Sequence, residues 1–150
     1  MTNVRAVDVG SPEALQSKAL LLDCFHVDLG DQGQVDHFGS YVDTANVIAV
    51  TANPGNSSEV TGTALLSRDA NPGEFRIDYV AVAEKARGKG LASALIGFCE
   101  TQAVALGAQK ILIDSTVGNG HKLYVGLGYQ TNSTPADVAS KNEIPFFKVL

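Results

Sequence analysis

The sequence predicts an α+β domain: a mixed, mostly antiparallel twisted sheet flanked by helices, with a central strand-helix-strand unit. Three observations carry the prediction. Short β-rich runs are separated by clusters of turn formers, two segments carry helix start and stop signals, and one long apolar helix lies between two strands at the spacing of a parallel crossover.

Taken in order, residues 3–9 alternate apolar and polar side chains and read as a strand. Ser11-Pro12-Glu13 then supplies an N-cap, a proline at the first helical position and an early acid, so a helix is expected over 12–25. Residues 26–42 are rich in Gly, Asp and Gln, and the spacing of Val35, Phe38, Tyr41 and Val42 predicts a short amphipathic helix. The runs 46–52 and 59–68 flank the turn Asn53-Pro54-Gly55-Asn56 and read as an antiparallel hairpin. A second turn, Asn71-Pro72-Gly73, leads into a strand over 74–82. A largely apolar helix follows over 88–106, capped by Gly107, and Lys110-Ile111-Leu112-Ile113-Asp114 is suited to a strand buried in a parallel pair. A short helix over 121–127 ends at Gly128, and 144–150 supplies a last strand.

With 150 residues, 45% hydrophobic and 18% charged, the chain can bury the core of a single domain spanning 1–150. Its apolar runs fall short of the roughly 20 residues of a membrane span, and Met1-Thr2-Asn3-Val4-Arg5 is no signal-peptide core, so the expectation is a cytoplasmic protein. A net charge of −5 argues against nucleic acid or an anionic membrane as a partner. Cys24 and Cys99 lie in apolar stretches without a CxxC context, as buried free thiols do.

Against this acidic background Lys85, Arg87 and Lys89 cluster in the loop Arg87-Gly88-Lys89-Gly90-Leu91-Ala92. Glycines there let the backbone approach a ligand, and the first N–H groups of the next helix have no internal acceptor, so the loop is suited to a polyanion. A Walker loop would require Ser or Thr where Gly90 stands, after Gly88-Lys89. A dinucleotide fingerprint would have its third glycine at Ser93 and would turn at once after the strand, whereas Ala83 to Arg87 intervene.

These residues resemble the GNAT superfamily of acyl-CoA N-acyltransferases. Tyr79-Val80-Ala81-Val82 followed by Arg87-Gly88-Lys89-Gly90-Leu91-Ala92 matches the family's central motif, and Leu123-Tyr124-Val125-Gly126-Leu127-Gly128-Tyr129 matches its second. The resemblance implies a GNAT-like sheet whose central strand-helix-strand unit binds acyl-CoA, and an N-acetyltransferase moving an acetyl group from acetyl-CoA to a primary amine, on a small molecule or a protein. It implies that the backbone of Val80 and Val82 binds the pantetheine and acyl carbonyl where two strands splay. The loop from Arg87 and Gly88 through Lys89, Gly90, Leu91 and Ala92 would take the pyrophosphate. Tyr124 would protonate the departing thiolate: a phenol has a reference pKa of about 10 and a thiol of about 8.5. The family often has an Asn seven residues before this Tyr; here Val117 stands there and Asn119, carried as a cofactor contact, comes two residues later. Similar proteins often dimerise, so a homodimer is within the expectation. A non-catalytic acyl-CoA-binding regulatory domain is the alternative.

Direct attack by a neutral amine calls for a base and no covalent intermediate. Strand alternation puts Arg76, Asp78, Val80 and Val82 on one face, which makes Asp78 the candidate catalytic base, with His121 second. His26, Asp28, Asp31, Asp36 and His37 fall where the resemblance places the substrate wall, and their carboxylates would attract a cationic amine. Asp23, His26 and Asp28 lack a second cluster to complete a metal site, so no metal is expected.

Overall fold

The computed structural model describes residues 3–53, 56–116, 121–134, 136 and 143–150. The segment Val117-Gly118-Asn119-Gly120, and with it the cofactor contact expected of Asn119, lies outside them. The elements follow one another as β1 (Val4–Val7), α1 (Pro12–Cys24), α2 (Gln32–Thr44), β2 (Val47–Asn53), β3 (Asn56–Arg68), β4 (Glu74–Val82), α3 (Leu91–Ala105), β5 (Lys110–Thr116), α4 (His121–Gly126) and β6 (Glu143–Val149). The strands form one open sheet in chain order, β1-β2-β3-β4-β5-β6. Among the described residues only β4 and β5 pair in parallel; the other neighbours are antiparallel, as the hairpin and crossover signals predict.

Each face of the sheet buries its own apolar layer. On one side Leu95, Ile96, Cys99 and Ala103, the buried positions of α3, pack with Phe75, Ile77, Ile111, Ile113 and Phe146, and Tyr124 and Tyr129 join them from α4 and its C-terminal turn. On the other side Ala14 and Leu21 of α1 and Val42 of α2 cover Ile48, Val50, Leu65 and Ala81. Ser17, buried on α1, is 3.1 Å from the Thr63 hydroxyl, which is itself 3.0 Å from the Ala49 carbonyl, so the polar atoms that α1 carries into this layer have partners.

Boundaries differ from the sequence reading where backbone dihedrals intervene. The first strand stops at Val7, before the left-handed Gly10 and the Ser11 cap, whose side chain accepts from the Ala14 N–H at 3.1 Å. α3 starts at Leu91 and not at 88, because Gly88 (φ 79°) and Gly90 (φ 76°) take the left-handed conformation, which no α-helix continues. α2 is a full 13-residue helix, started by Asp31, whose carboxylate accepts from the Gln34 N–H at 3.2 Å.

Between paired residues Ala64↔Val80 and Leu66↔Ile77, β4 carries one residue more than β3. This β-bulge at Asp78 and Tyr79 resets the alternation. Phe75 and Ile77 face α3 before it, and Val80 and Val82 face α3 after it, while Tyr79 and Ala81 face α1 and α2. Asp78 accepts from Ser67, which shares the parity of Leu65 and so lies on the α1 side. The single face for Arg76, Asp78, Val80 and Val82 therefore does not form: Arg76 and Asp78 lie across the sheet from the two valines.

Three helices end in the same pair of hydrogen bonds, a Schellman motif whose next residue is left-handed. After α3 that residue is Gly107 (φ 91°) and after α4 it is Gly128 (φ 92°). After α1 it is His26 (φ 52°), with His26 N–H bonded to the Asp23 carbonyl at 3.2 Å and Val27 N–H to the Leu22 carbonyl at 3.0 Å. A side chain in this conformation costs about 1–2 kcal/mol, against roughly 0.5–1 kcal/mol of extra chain entropy for glycine. His26→Gly should therefore stabilise the fold by about 0.5–1 kcal/mol, read as a melting temperature raised by ~2–4 °C; an unchanged or lower midpoint would show that the imidazole makes compensating contacts.

Candidate active site

β4 and β5 pair only from Glu74↔Lys110 to Ile77↔Ile113. Beyond that point β4 stays paired with β3 as far as Val82, and β5 stays paired with β6 as far as Thr116↔Glu143, so the two strands separate. A cleft of about 920 Å³ opens between them, running from the α1–α2 side to the N-terminus of α3. Among the described residues the edge of β4 from Asp78 onward that would bond to β5 has no strand partner, which leaves main-chain groups there, beyond the Val82 carbonyl that Arg87 and Cys24 contact, for a ligand to bind.

At one end of the cleft α3 begins with no side-chain cap, and Gly90 is its N-cap residue. The first turn's N–H groups point out of the helix start, where the dipole favours an anion. A Cβ on Gly88 or Gly90 would meet no heavy atom within 4 Å, so packing does not demand glycine there; the left-handed φ does. These features suit the pyrophosphate of an acyl-CoA. Val80, Val82, Arg87, Gly88, Gly90, Leu91 and Ala92, named from the sequence as cofactor contacts, line the cleft together with Asp78 and Tyr124. Lys89 is exposed and does not line it. Of the other two cations in the loop, Lys85 is ion-paired with Glu59, and Arg87 donates from Nε to the Val82 carbonyl at 3.1 Å.

In the middle stands Tyr124, 9% exposed, with ring centroids 6.2 Å from Tyr129 and 5.9 Å from Phe146. Burial, and secondarily the negative charge of Asp114, hold its phenol above the ordinary value, so it keeps its proton through the neutral range. Its helix is short and is held by the residues that follow. The Tyr129 hydroxyl donates to Glu100 of α3 at 3.0 Å, and Lys148 of β6 donates to Glu100 at 3.1 Å and to the Leu127 carbonyl at 2.9 Å. These contacts fix α4 between α3 and β6.

Toward α1 and α2, Arg76 donates to Asp114 at 2.9 Å and to Asp69 at 3.1 Å; burial works against its charge, but the two carboxylates outweigh burial and raise its pKa. Asp78 sits beside this group. Burial lifts its carboxyl above the usual range; the Ser67 hydrogen bond and Arg76 oppose the shift, while Asp69 and Asp114 add to it. Cys24 also lines the cleft, only half-buried, with Sγ 3.6 Å from the Val82 carbonyl; Cys99 is fully buried, its thiol pushed up to about 12 by burial and by Glu100. The contact of Cys24 with Val82 joins residues 58 apart in sequence, and no local pattern announces it. Of the segment expected to form the substrate wall, His26 and Tyr41 line the cleft, but Asp28, Asp31, Asp36 and His37 do not. Asp28 accepts from Gly30 N–H, Asp31 caps α2, and Asp36 binds Gln32, so these carboxylates shape the α1–α2 loop and its helix. Among the described residues no group of three His, Cys, Asp or Glu is placed to hold a metal ion.

The model of the acetyltransferase (GNAT) family matches residues 18–129. The chain belongs to the GNAT family. No protein of curated function matches it in sequence. Solved structures with the same GNAT fold include the aminoglycoside 6'-N-acetyltransferase from Enterococcus faecium, 12% identical, with a TM-score of 0.78 over 98% of this chain and 96% of that one. The IAA acetyltransferase from Bacillus cereus is 20% identical, with a TM-score of 0.73 over the whole of both chains. N-acetylglutamate synthase from Neisseria gonorrhoeae, solved with coenzyme A and N-acetyl-glutamate, is 18% identical with a TM-score of 0.68; all of this chain aligns with 35% of that one. Among the described residues no helix is long and apolar enough to cross a membrane.

The raised Asp78 carboxyl has a thermodynamic consequence. The folded state holds this proton more tightly than the unfolded chain, so the stability it contributes is full below the unfolded pKa, about 3.9, and is lost as pH rises through the folded value. Asp78→Asn, whose amide oxygen can still accept from Ser67, should match or exceed the parent's stability at pH 7 and lose that relative advantage as pH falls below 4. Urea midpoints at the two pH values measure it, and a variant clearly weaker at pH 7 would contradict the buried-acid account.

Proposed function

We propose that the chain is an N-acetyltransferase that transfers the acetyl group of acetyl-CoA to a primary amine by direct attack. The carrying observation is that one cleft brings together an uncapped helix start behind two left-handed glycines, a strand edge without its partner, and a buried protonated tyrosine. The six strands form one sheet, which supports a single catalytic domain over 1–150.

In this reading the N–H groups from Gly88 to Ala92 hold the pyrophosphate, with Arg87 and the exposed Lys89 adding positive charge, and the β4 edge at Val80 and Val82 binds the pantetheine arm and acyl carbonyl. Hydrogen bonds at that carbonyl become stronger as it takes on negative charge. The acceptor reaches the thioester from the α1–α2 side as an ammonium ion, and Asp78 takes its proton. Every unit by which burial raises the Asp78 pKa narrows the gap to an ammonium by about 1.36 kcal/mol. The neutral amine adds to the acetyl carbon, the C–S bond breaks, and Tyr124 gives its proton to the thiolate. The excess proton on the new amide nitrogen returns to the phenolate, Asp78 releases the ammonium's proton to solvent, and the products are the acetamide, the free thiol and that proton.

Isothermal titration with acetyl-CoA and a thiol-release assay with amines test the two halves of the reading. Gly90→Val, which forces a β-branched residue to φ 76°, should weaken acetyl-CoA binding by about tenfold or more, equivalent to ~1.4 kcal/mol. Tyr124→Phe should keep that binding while kcat falls by about 10²-fold. Binding with no turnover on any amine would instead favour a non-catalytic acyl-CoA-binding domain, and absence of binding would remove the site altogether.

A further inference from the structure

On the α1–α2 side the cleft is walled by aromatic rings. Tyr79 is the hub, with ring centroids 5.2 Å from Phe25, 5.1 Å from Phe38 and 5.1 Å from Tyr41. Phe25, Tyr41 and Tyr79 line the cleft, Phe38 supports them from behind, and Phe25 is 42% exposed. The bulge is what brings this wall to the acid. It turns the consecutive residues Asp78 and Tyr79 toward the same side of the sheet, so a carboxylate and an aromatic face stand side by side at the cleft.

The charges restrict the ligand further. Among the described residues two carboxylates line the cleft: Asp114 holds Arg76 in a salt bridge, whereas Asp78, which accepts from Ser67, is the one that can meet an incoming cation. The acids of the α1–α2 loop bind their own backbone and do not enter the cleft. A polycation would bring further charges for which the described residues lining the cleft offer no other carboxylate, whereas a flat aromatic body can stack on the rings.

Building on the N-acetyltransferase reading, we infer that the acceptor is a monoamine carried on an aromatic body, an aralkylamine, whose ring packs on Tyr79, Phe25 and Tyr41 while its ammonium meets Asp78. Ring–ring contacts are worth roughly 2- to 10-fold in affinity each. With saturating acetyl-CoA, 2-phenylethylamine should therefore be acetylated with a kcat/KM at least about tenfold above that of butylamine or spermidine. Tyr79→Ala and, independently, Tyr41→Ala should lower that preference mainly through KM and leave acetyl-CoA affinity unchanged, and Tyr79→Phe should retain it. Butylamine or spermidine used as well as 2-phenylethylamine, or a preference unaltered in both alanine variants, would overturn the inference. Equilibrium titration of 2-phenylethylamine into the protein–CoA complex separates the two levels: binding without turnover on any amine removes the transferase reading alone, whereas turnover of aliphatic amines without such binding removes the aromatic acceptor alone.

Discussion

The early end of the β4–β5 pairing is the constraint on which the rest of the molecule depends. Two parallel strands bonded along their full length would satisfy their own main-chain groups and close the sheet. Here the pairing stops at Ile77↔Ile113, and each strand continues on its other neighbour alone. Main-chain groups along this edge are thereby left without a strand partner among the described residues, and such groups are costly unless a side chain, as at the Val82 carbonyl, a ligand or water takes them. The separation is stable because it is anchored on both sides: β4 by β3 and by α3, β5 by β6 and by the Glu100–Lys148–Tyr129 contacts that hold α4 in place.

The cleft then has two ends of opposite character within a chain of net charge −5. At the α3 end the fixed partial charge of a helix start, with Arg87 beside it, favours an anion. At the α1–α2 end three carboxylates, Asp69, Asp78 and Asp114, surround one guanidinium, Arg76, and the balance favours a cation. On the proposed function, these opposite fields would draw a negatively charged acyl donor and a positively charged acceptor in from opposite ends, toward Tyr124 between them. Overall charge speaks against a polyanion, but helix-start fields act over about one turn, so the local preference is set independently of it.

Much of this was legible in the sequence, because the signals involved are local. Ser11-Pro12, the turn Asn71-Pro72-Gly73 and Gly107 mark element ends through their own dihedral preferences, and Gly88 and Gly90 mark where the chain turns left-handed before α3. The β4 bulge was not legible. A bulge depends on how two strands pair, and Asp78-Tyr79 carries no Gly or Pro to announce it, so strict alternation put Arg76, Asp78 and Val80 on a face they do not share. The acids of 26–42 misled for a related reason: Asp in a loop binds nearby backbone N–H groups more readily than it faces a distant cleft, and Asp28 and Asp31 do so. The aromatic wall has no sequence signature, because Phe25 just after α1, Tyr41 of α2 and Tyr79 of β4 meet only in the folded chain.

His26 ties the end of α1 to the cleft. Two of the three Schellman ends follow the stereochemical preference and use glycine, and the third, whose last turn bears Cys24 and Phe25, does not. The hydrogen bonds at that end are the same as at the other two, so capping alone gives no reason for the exception. What differs is location: His26 lines the cleft beside Phe25, whereas neither Gly107 nor Gly128 reaches it. A strained side chain persists when its surroundings hold it, and such strain gathers where ligands bind. The α1 terminus therefore combines a hydrogen-bonded stop with an imidazole and a phenyl ring at the α1–α2 end of the cleft, at the stability cost that His26→Gly is expected to relieve.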